Sequence, residues 1–196
     1  MAMIKPSMLL YIHGFNSSPL SHKAQVMMSF CQQYRSDIRV EVPRLPCFPS
    51  DAASVLKNTV ERHKYDYHIG LIGSSLGGYL STWLNSMYGY KVVLVNPAVR
   101  PYELLTDYLG PQVNPYTDEE YVLTAKHVNE LRELDVTEIA QPEDFWLLQQ
   151  QDDEVLDYRQ AVAKYIGGKQ TVESGGDHSF INFERYPSQI IQFLNL

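Results

Sequence analysis

Two hydroxyls stand side by side in Gly73-Ser74-Ser75-Leu76-Gly77-Gly78, directly after the apolar Ile69-Gly70-Leu71-Ile72. Four chemistries suit serines between glycines: a phosphate cradle, a dinucleotide loop, a plain tight turn, or a nucleophile elbow. A Walker-type phosphate loop needs a lysine directly after its last glycine, and Tyr79 stands there. A dinucleotide loop follows the first strand and needs an acidic residue about 20 positions on. Here two strands precede the loop, and Asn96-Pro97 occupy the place of the acid. The elbow pattern G-x-S-x-G matches directly. Its serine sits in a strained strand-to-helix turn, where the residues two before and two after it crowd together. Ser75 is flanked there by Gly73 and Gly77, whereas Ser74 would be flanked by Ile72 and Leu76. Ser75 is therefore the candidate nucleophile. It also opens a helix whose N-terminus favours developing negative charge.

A serine hydroxyl attacks only with a base beside it, and the base needs a carboxylate to orient it. In elbow-type sites the chain order is Ser, then Asp or Glu, then His. His178, in Ser174-Gly175-Gly176-Asp177-His178-Ser179-Phe180, is the histidine well downstream of Ser75 in a glycine-rich loop. For the acid, Asp152, Asp153, Glu154 and Asp157 compete after the apolar Phe145-Trp146-Leu147-Leu148. The run Asp153-Glu154-Val155-Leu156 favours Asp153, with Val155 expected to pack beneath it, and Asp152 is the alternative. Two backbone N–H groups must face the oxyanion. Leu76, after the nucleophile, supplies one. The loop Tyr11-Ile12-His13-Gly14-Phe15-Asn16 supplies the other, through Phe15, with Asn16 second. His13 reads as a structural hydrogen-bonding residue.

These groups need a scaffold that brings distant loops to one edge. Strands are expected over residues 8–14, 38–43, 67–73, 91–97, 144–150 and 169–174. Helices are expected over 25–35, 51–64 (capped by Ser50 or Asp51), 76–89 (ended by Gly89), 157–168 and 186–196. Alternating strands and helices imply a mostly parallel central sheet with helices on both faces. Continuous runs such as Val92-Val93-Leu94-Val95 fit strands buried on both sides. The tyrosine- and proline-rich segment of about 99–137 breaks the rhythm and reads as an insert over the sheet's C-terminal edge, where ligands bind in open α/β sheets; a crossover helix with a long surface loop is the plainer alternative. Tyr102, Tyr108, Tyr116 and Tyr121 of the insert, together with Asn16, are candidate substrate-binding residues. Arg100, next to Pro101, reads as a surface ion-pair partner, with an acidic substrate group as its alternative partner.

At 196 residues the chain suits a single domain. Its formal charge of −7, from 16 Lys and Arg against 23 Asp and Glu, with no basic cluster, argues against a nucleic-acid partner. The two cysteines, Cys31 and Cys47, form no disulfide framework or metal spacing. The N-terminal apolar run breaks at His13-Gly14, too short for a membrane span, and no leader peptide is evident. A cytoplasmic location without membrane contact is expected, and oligomeric state is left open.

The segments Tyr11-Ile12-His13-Gly14-Phe15-Asn16-Ser17-Ser18-Pro19, Gly73-Ser74-Ser75-Leu76-Gly77-Gly78-Tyr79, Val95-Asn96-Pro97-Ala98-Val99-Arg100-Pro101-Tyr102-Glu103, Asn114-Pro115-Tyr116-Thr117 and Asp153-Glu154-Val155-Leu156-Asp157-Tyr158-Arg159 together resemble the α/β-hydrolase superfamily, and within it the small bacterial YqiA-type esterase group. The resemblance runs over nearly the whole chain. It implies a three-layer α/β-hydrolase fold with a short cap insert, a Ser75–Asp153–His178 triad, and cleavage of carboxylic esters. The chain departs from the superfamily in Gln149-Gln150-Gln151-Asp152-Asp153, which lacks the glycine often found two or three residues before the acid. A small-molecule ester is the expected substrate. An acyl thioester such as acyl-CoA is the alternative, and a non-catalytic binding module on the same scaffold is the alternative of another class. Neither a metal nor an organic cofactor is expected.

Overall fold

A computed structural model describes residues 5–196. The four residues before them open the segment read above as lacking a leader peptide, and lie outside the described residues. The strands are β1 (Ser7–Ile12), β2 (Arg39–Glu41), β3 (His68–Ser74), β4 (Val92–Val95), β5 (Gly110–Val113), β6 (Glu120–Leu123), β7 (Phe145–Gln150) and β8 (Lys169–Glu173). The helices are α1 (His22–Tyr34), α2 (Pro49–His63), α3 (Leu76–Tyr88), α4 (Pro101–Leu104), α5 (Ala125–Glu133), α6 (Tyr158–Lys164) and α7 (Pro187–Leu194). Six strands form a parallel sheet in the order β2-β1-β3-β4-β7-β8. Alternation along each strand feeds two cores. Met8, Leu10 and Ile12 of β1 pack with Leu56, Val60, Leu80 and Leu84 of α2 and α3. Leu9 and Tyr11 pack on the opposite face with Met27, Cys31, Ile190 and Leu194 of α1 and α7. The result is the three-layer α/β-hydrolase architecture.

The chain leaves β1 for β2 on one side, then returns to β3 on the other. That reversal opens a crevice at the C-terminal ends of β1 and β3, the usual ligand position in an open α/β sheet. The elbow sits there, and its geometry depends on close backbone approach. A Cβ on Gly77 would collide with the Ile12 carbonyl, and one on Gly73 with the Gly77 carbonyl and the Ser81 hydroxyl. Gly89 ends α3 in the left-handed conformation (φ 66°), as its sequence position predicts.

Several boundaries differ from the sequence expectation. α2 begins at Pro49 with Phe48 as N-cap, because proline's fixed φ and missing N–H suit the first helical position. Ser50 is thus inside the helix, and its N–H donates to the Glu130 carboxylate of α5 at 3.2 Å. α1 starts at His22, and α6 is shorter than expected, capped by Asp157, whose carboxylate accepts from the Arg159 N–H.

Between β4 and β7 the insert holds α4, a short 3₁₀ turn at Leu105–Tyr108, the antiparallel β5–β6 hairpin and α5. The hairpin was not legible in the sequence, since its strands are four residues long and one carries Pro111. Tyr121 and Leu123 bury one of its faces while Val113 and Val122 stay exposed. Among the described residues no helix is long and apolar enough to cross a membrane.

The Gly77 contact is with backbone, which cannot rotate away. Gly77→Ala is expected to destabilise the fold by about 1–3 kcal/mol, as overpacked sites do, read as a lowered urea midpoint. An unchanged midpoint would show that this approach is not the constraint on the elbow.

Candidate active site

Ser75 stands at the N-cap of α3 with φ 54° and ψ −121°, a conformation that non-glycine residues seldom adopt. Its backbone is held on both sides. The Ser75 N–H donates to the Val95 carbonyl at 3.1 Å, and the Ser75 carbonyl accepts from Gly78 at 2.9 Å and Ala98 at 3.0 Å. The hydroxyl so presented lies 3.1 Å from Nε2 of His178. Nδ1 of His178 lies 2.8 Å from Oδ2 of Asp153 and 3.0 Å from Oδ1. An ionised carboxylate only accepts, so Nδ1 carries the proton and Nε2 is left to accept from Ser75.

The Asp153 side chain is fully buried, and its Oδ1 also accepts from the Val155 and Leu156 N–H groups, each at 2.9 Å. Asp152 is exposed and meets no imidazole; its N–H donates to the Gly175 carbonyl. Val155 does not pack beneath the acid. Its N–H turns in toward the Asp153 carboxylate, and the residue as a whole is 40% exposed. Glu154, another of the competing acids, instead accepts from the His178 N–H at 2.9 Å.

Facing Ser75 is the loop after β1. A Cβ on Gly14 would stand 3.1 Å from Cβ of Ser75, so the loop backbone lies directly against the hydroxyl-bearing residue. Neither the Phe15 nor the Leu76 N–H donates to an acceptor within the described residues. His13, beneath this loop, is buried. Its Nε2 accepts from the Leu45 N–H at 3.2 Å, so its Nδ1 carries the proton and donates to the Gly14 carbonyl at 3.1 Å. Across the planar trans peptide the Phe15 N–H must point opposite to that carbonyl. Burial lowers the His13 pKa below its usual value, with the Gly14 contact pulling the other way.

Residues that motif reading passed over hold the imidazole loop. Asn96, wholly buried with φ 40°, donates through Nδ2 to the Asp177 carbonyl at 2.8 Å and the His178 carbonyl at 3.2 Å. Its Oδ1 accepts from the Gln150 N–H and from Nε2 of Gln149. Gln150 in turn accepts from Ile181 N–H at 2.9 Å through Oε1, and donates to the Ile181 carbonyl through Nε2. A polar pair ending the run Phe145–Leu148, and an asparagine ending Val92–Val95, were the available signals: buried amides at a sheet edge need partners.

The hydroxyl opens into a cleft of ≈ 670 Å³, walled in part by Asn16, Lys23, Tyr116 and Glu154. Lys23 donates to the Ser179 carbonyl at 2.7 Å, and burial pushes its ammonium down to about 8, although Asp177 and Asp153 pull upward. Behind Phe15 and Leu76 lies a second cavity of ≈ 30 Å³, lined mainly by apolar groups including Leu45, Phe48 and Leu131. Of the candidate substrate-binding tyrosines, Tyr116 reaches the cleft. Tyr108 packs edge-on against Phe15 at 6.1 Å. Tyr102 is not brought to the site; its hydroxyl donates to Asp135 at 3.3 Å, beside a separate cleft that also contains Arg100. Arg100 itself pairs with Glu103 at the surface. Among the described residues no group of three or more His, Cys, Asp or Glu side chains is arranged to hold a metal ion.

The model of an uncharacterised protein family (UPF0227) matches residues 8–195. Solved structures share the fold at low identity. Est1E from Butyrivibrio proteoclasticus is 14% identical with a TM-score of 0.73, over 99% of this chain and 89% of that one; it has also been solved with ferulic acid bound. Alpha/beta hydrolase domain-containing protein 10 from mouse is 16% identical with a TM-score of 0.70, over 98% and 92%. An α/β serine hydrolase without lid from Xanthomonas campestris is 11% identical with a TM-score of 0.63, over 98% and 83%. These likenesses establish the fold.

Two outcomes follow from the buried polar groups. Gln150→Leu keeps the volume but strands the Ile181 N–H and carbonyl, and should cost about 2 kcal/mol or more in urea unfolding, with faster hydrogen exchange at Ile181. For His13, the unfolded ring takes up a proton near its ordinary value of 6.5, while the folded ring resists to lower pH. Its contribution to stability is therefore complete above that value and is lost as the pH falls from it through the folded pKa. The urea midpoint of His13→Gln should fall less than that of the wild type between about pH 7.5 and 5.5; equal slopes would refute the assignment.

Proposed function

The chain belongs to the uncharacterised protein family UPF0227, and from that footing we propose that it is a serine hydrolase cleaving small carboxylic esters through an acyl-enzyme. The observation that carries this reading is the hydrogen-bond chain from Ser75 Oγ through the His178 ring to the buried Asp153 carboxylate. In this reading Ser75 attacks the ester carbonyl as His178 Nε2 takes its proton. Asp153 holds the imidazole tautomer and stabilises the imidazolium. The negative charge that forms on the carbonyl oxygen is received by the Phe15 and Leu76 N–H groups, and one such donor is typically worth about a hundredfold or more in rate. His178 then protonates the departing alcohol. In the second half it takes a proton from water, which attacks the acyl-enzyme, and Ser75 leaves with that proton.

The cleft beside Ser75 suits a small-molecule substrate, and the ferulic acid held by Est1E is consistent with a compact acid or ester binding a fold of this kind. An acyl thioester uses the same groups and differs only in its leaving atom. The chemistry draws on side chains and backbone alone.

Labelling with a fluorophosphonate, followed by mapping of the adduct, tests the site. The adduct is expected on Ser75 and lost in Ser75→Ala, with kcat falling by roughly 10⁴-fold or more. Asp153→Asn should be severely impaired and Asp152→Asn near wild type. An adduct on Ser74, or none on folded wild-type protein, would sink the reading. A chain-length series of p-nitrophenyl esters beside acyl-CoA thioesters then separates esterase from thioesterase.

A further inference from the structure

We infer that the insert is a brace for the oxyanion loop, and that Tyr121 and Asn114 are positioning residues acting through Asn16 and Ser17. This rests on the Ser75 reading above. The loop is held from below by His13, as described, but a single carbonyl contact leaves the residues after Phe15 free to turn. Asn16 has φ 49°, in the left-handed region that asparagine tolerates better than most residues. Its side-chain carbonyl accepts from the Tyr121 hydroxyl at 2.5 Å. The next residue is caught as well, since Nδ2 of Asn114 donates to the Ser17 carbonyl at 3.1 Å. Both donors belong to the β5–β6 hairpin, Asn114 just after β5 and Tyr121 within β6. The rings reinforce this docking, with Phe15 edge-on to Tyr121 at 6.5 Å and Phe48 edge-on to Tyr121 at 5.9 Å.

A brace has to be fixed at its other end. The Tyr79 hydroxyl of α3 donates to the Leu131 carbonyl of α5 at 2.5 Å, and His127 of α5 stacks on Phe48 with ring centres 4.3 Å apart. Leu131 is wholly buried in the main core. The insert therefore ties the helix that begins at Ser75 to the loop that carries Phe15. The N–H of Phe15 is set by the Gly14 contact before it and by the Asn16 contact after it. A donor aligned in advance stabilises charge without reorganising at the moment of reaction.

The hydroxyl can be removed while the ring stays. With p-nitrophenyl acetate, Tyr121→Phe should lower kcat about tenfold with KM changed by less than about twofold. Asn16→Gly keeps the left-handed backbone, removes the amide, and should give a similar loss. The double variant should lose no more than either single one, because both act through one contact. Melting temperatures, taken in parallel, report whether each variant folds. Unchanged kcat in both folded variants would overturn the inference. So would additive losses, or a raised KM at constant kcat, which would make the hairpin a binding wall instead. If wild-type protein neither hydrolyses the ester nor takes a fluorophosphonate on Ser75, the active-site reading itself fails, an outcome visible before any variant is made.

Discussion

The elbow depends on the close approach of the β1 backbone to the start of α3. The Ile12 carbonyl occupies the space that any side chain on residue 77 would need. Because the two backbones touch, Ser75 is pushed into its rare conformation and the following helix is seated on the sheet. Everything chemical at this edge inherits that seating. The Gly14 backbone meets Ser75, so the loop bearing Phe15 faces the hydroxyl; the α3 N-terminus puts Leu76 on the other side. The strain of such a residue, of order 1–3 kcal/mol, persists only when surroundings over-determine it. Three backbone hydrogen bonds at Ser75 do so here.

Four neighbouring strand ends share the work. Ser75 follows β3, Asn96 follows β4, Asp153 follows β7 and His178 follows β8, and these strands are consecutive in the sheet. Asn96 stands between Ser75 and Asp153 at the end of β4. Its amide joins the end of β7 to the imidazole loop. A buried amide with every group satisfied rigidifies its surroundings, while a half-satisfied one would be costly.

How much of this the sequence revealed depended on the range of each signal. The sheet and its two helical layers were legible, because β-strand and helix periodicities survive burial and reveal which face is apolar. Ser75 and His178 could be singled out in the sequence, since small flanking side chains and a glycine-rich loop are local signals, and the structure brings the two within 3.1 Å of each other. The sequence favoured Asp153 over Asp152 on an expected packing of Val155 that the structure does not show; in three dimensions it is the Asp153 carboxylate that turns inward to His178 and to the Val155 and Leu156 amides. The hairpin escaped because its paired strands are four residues each, one of them carrying Pro111, and its docking partner Asn16 lies more than a hundred residues away in the chain. For the same reason Tyr102 and Tyr121 read alike in sequence, although one bonds Asp135 and the other bonds Asn16.

The order of strands also bears on how the molecule comes into being. All five pairings of the main sheet are parallel, so none can form by a local hairpin. Asp153 and His178 hang from β7 and β8, the last strands to leave the ribosome, while Ser75 belongs to the central pair made from the first half of the chain. Long-range parallel pairing is intrinsically slow. Ser75 therefore leaves the ribosome well before Asp153 and His178, and the three side chains can meet only once β7 and β8 have joined the sheet.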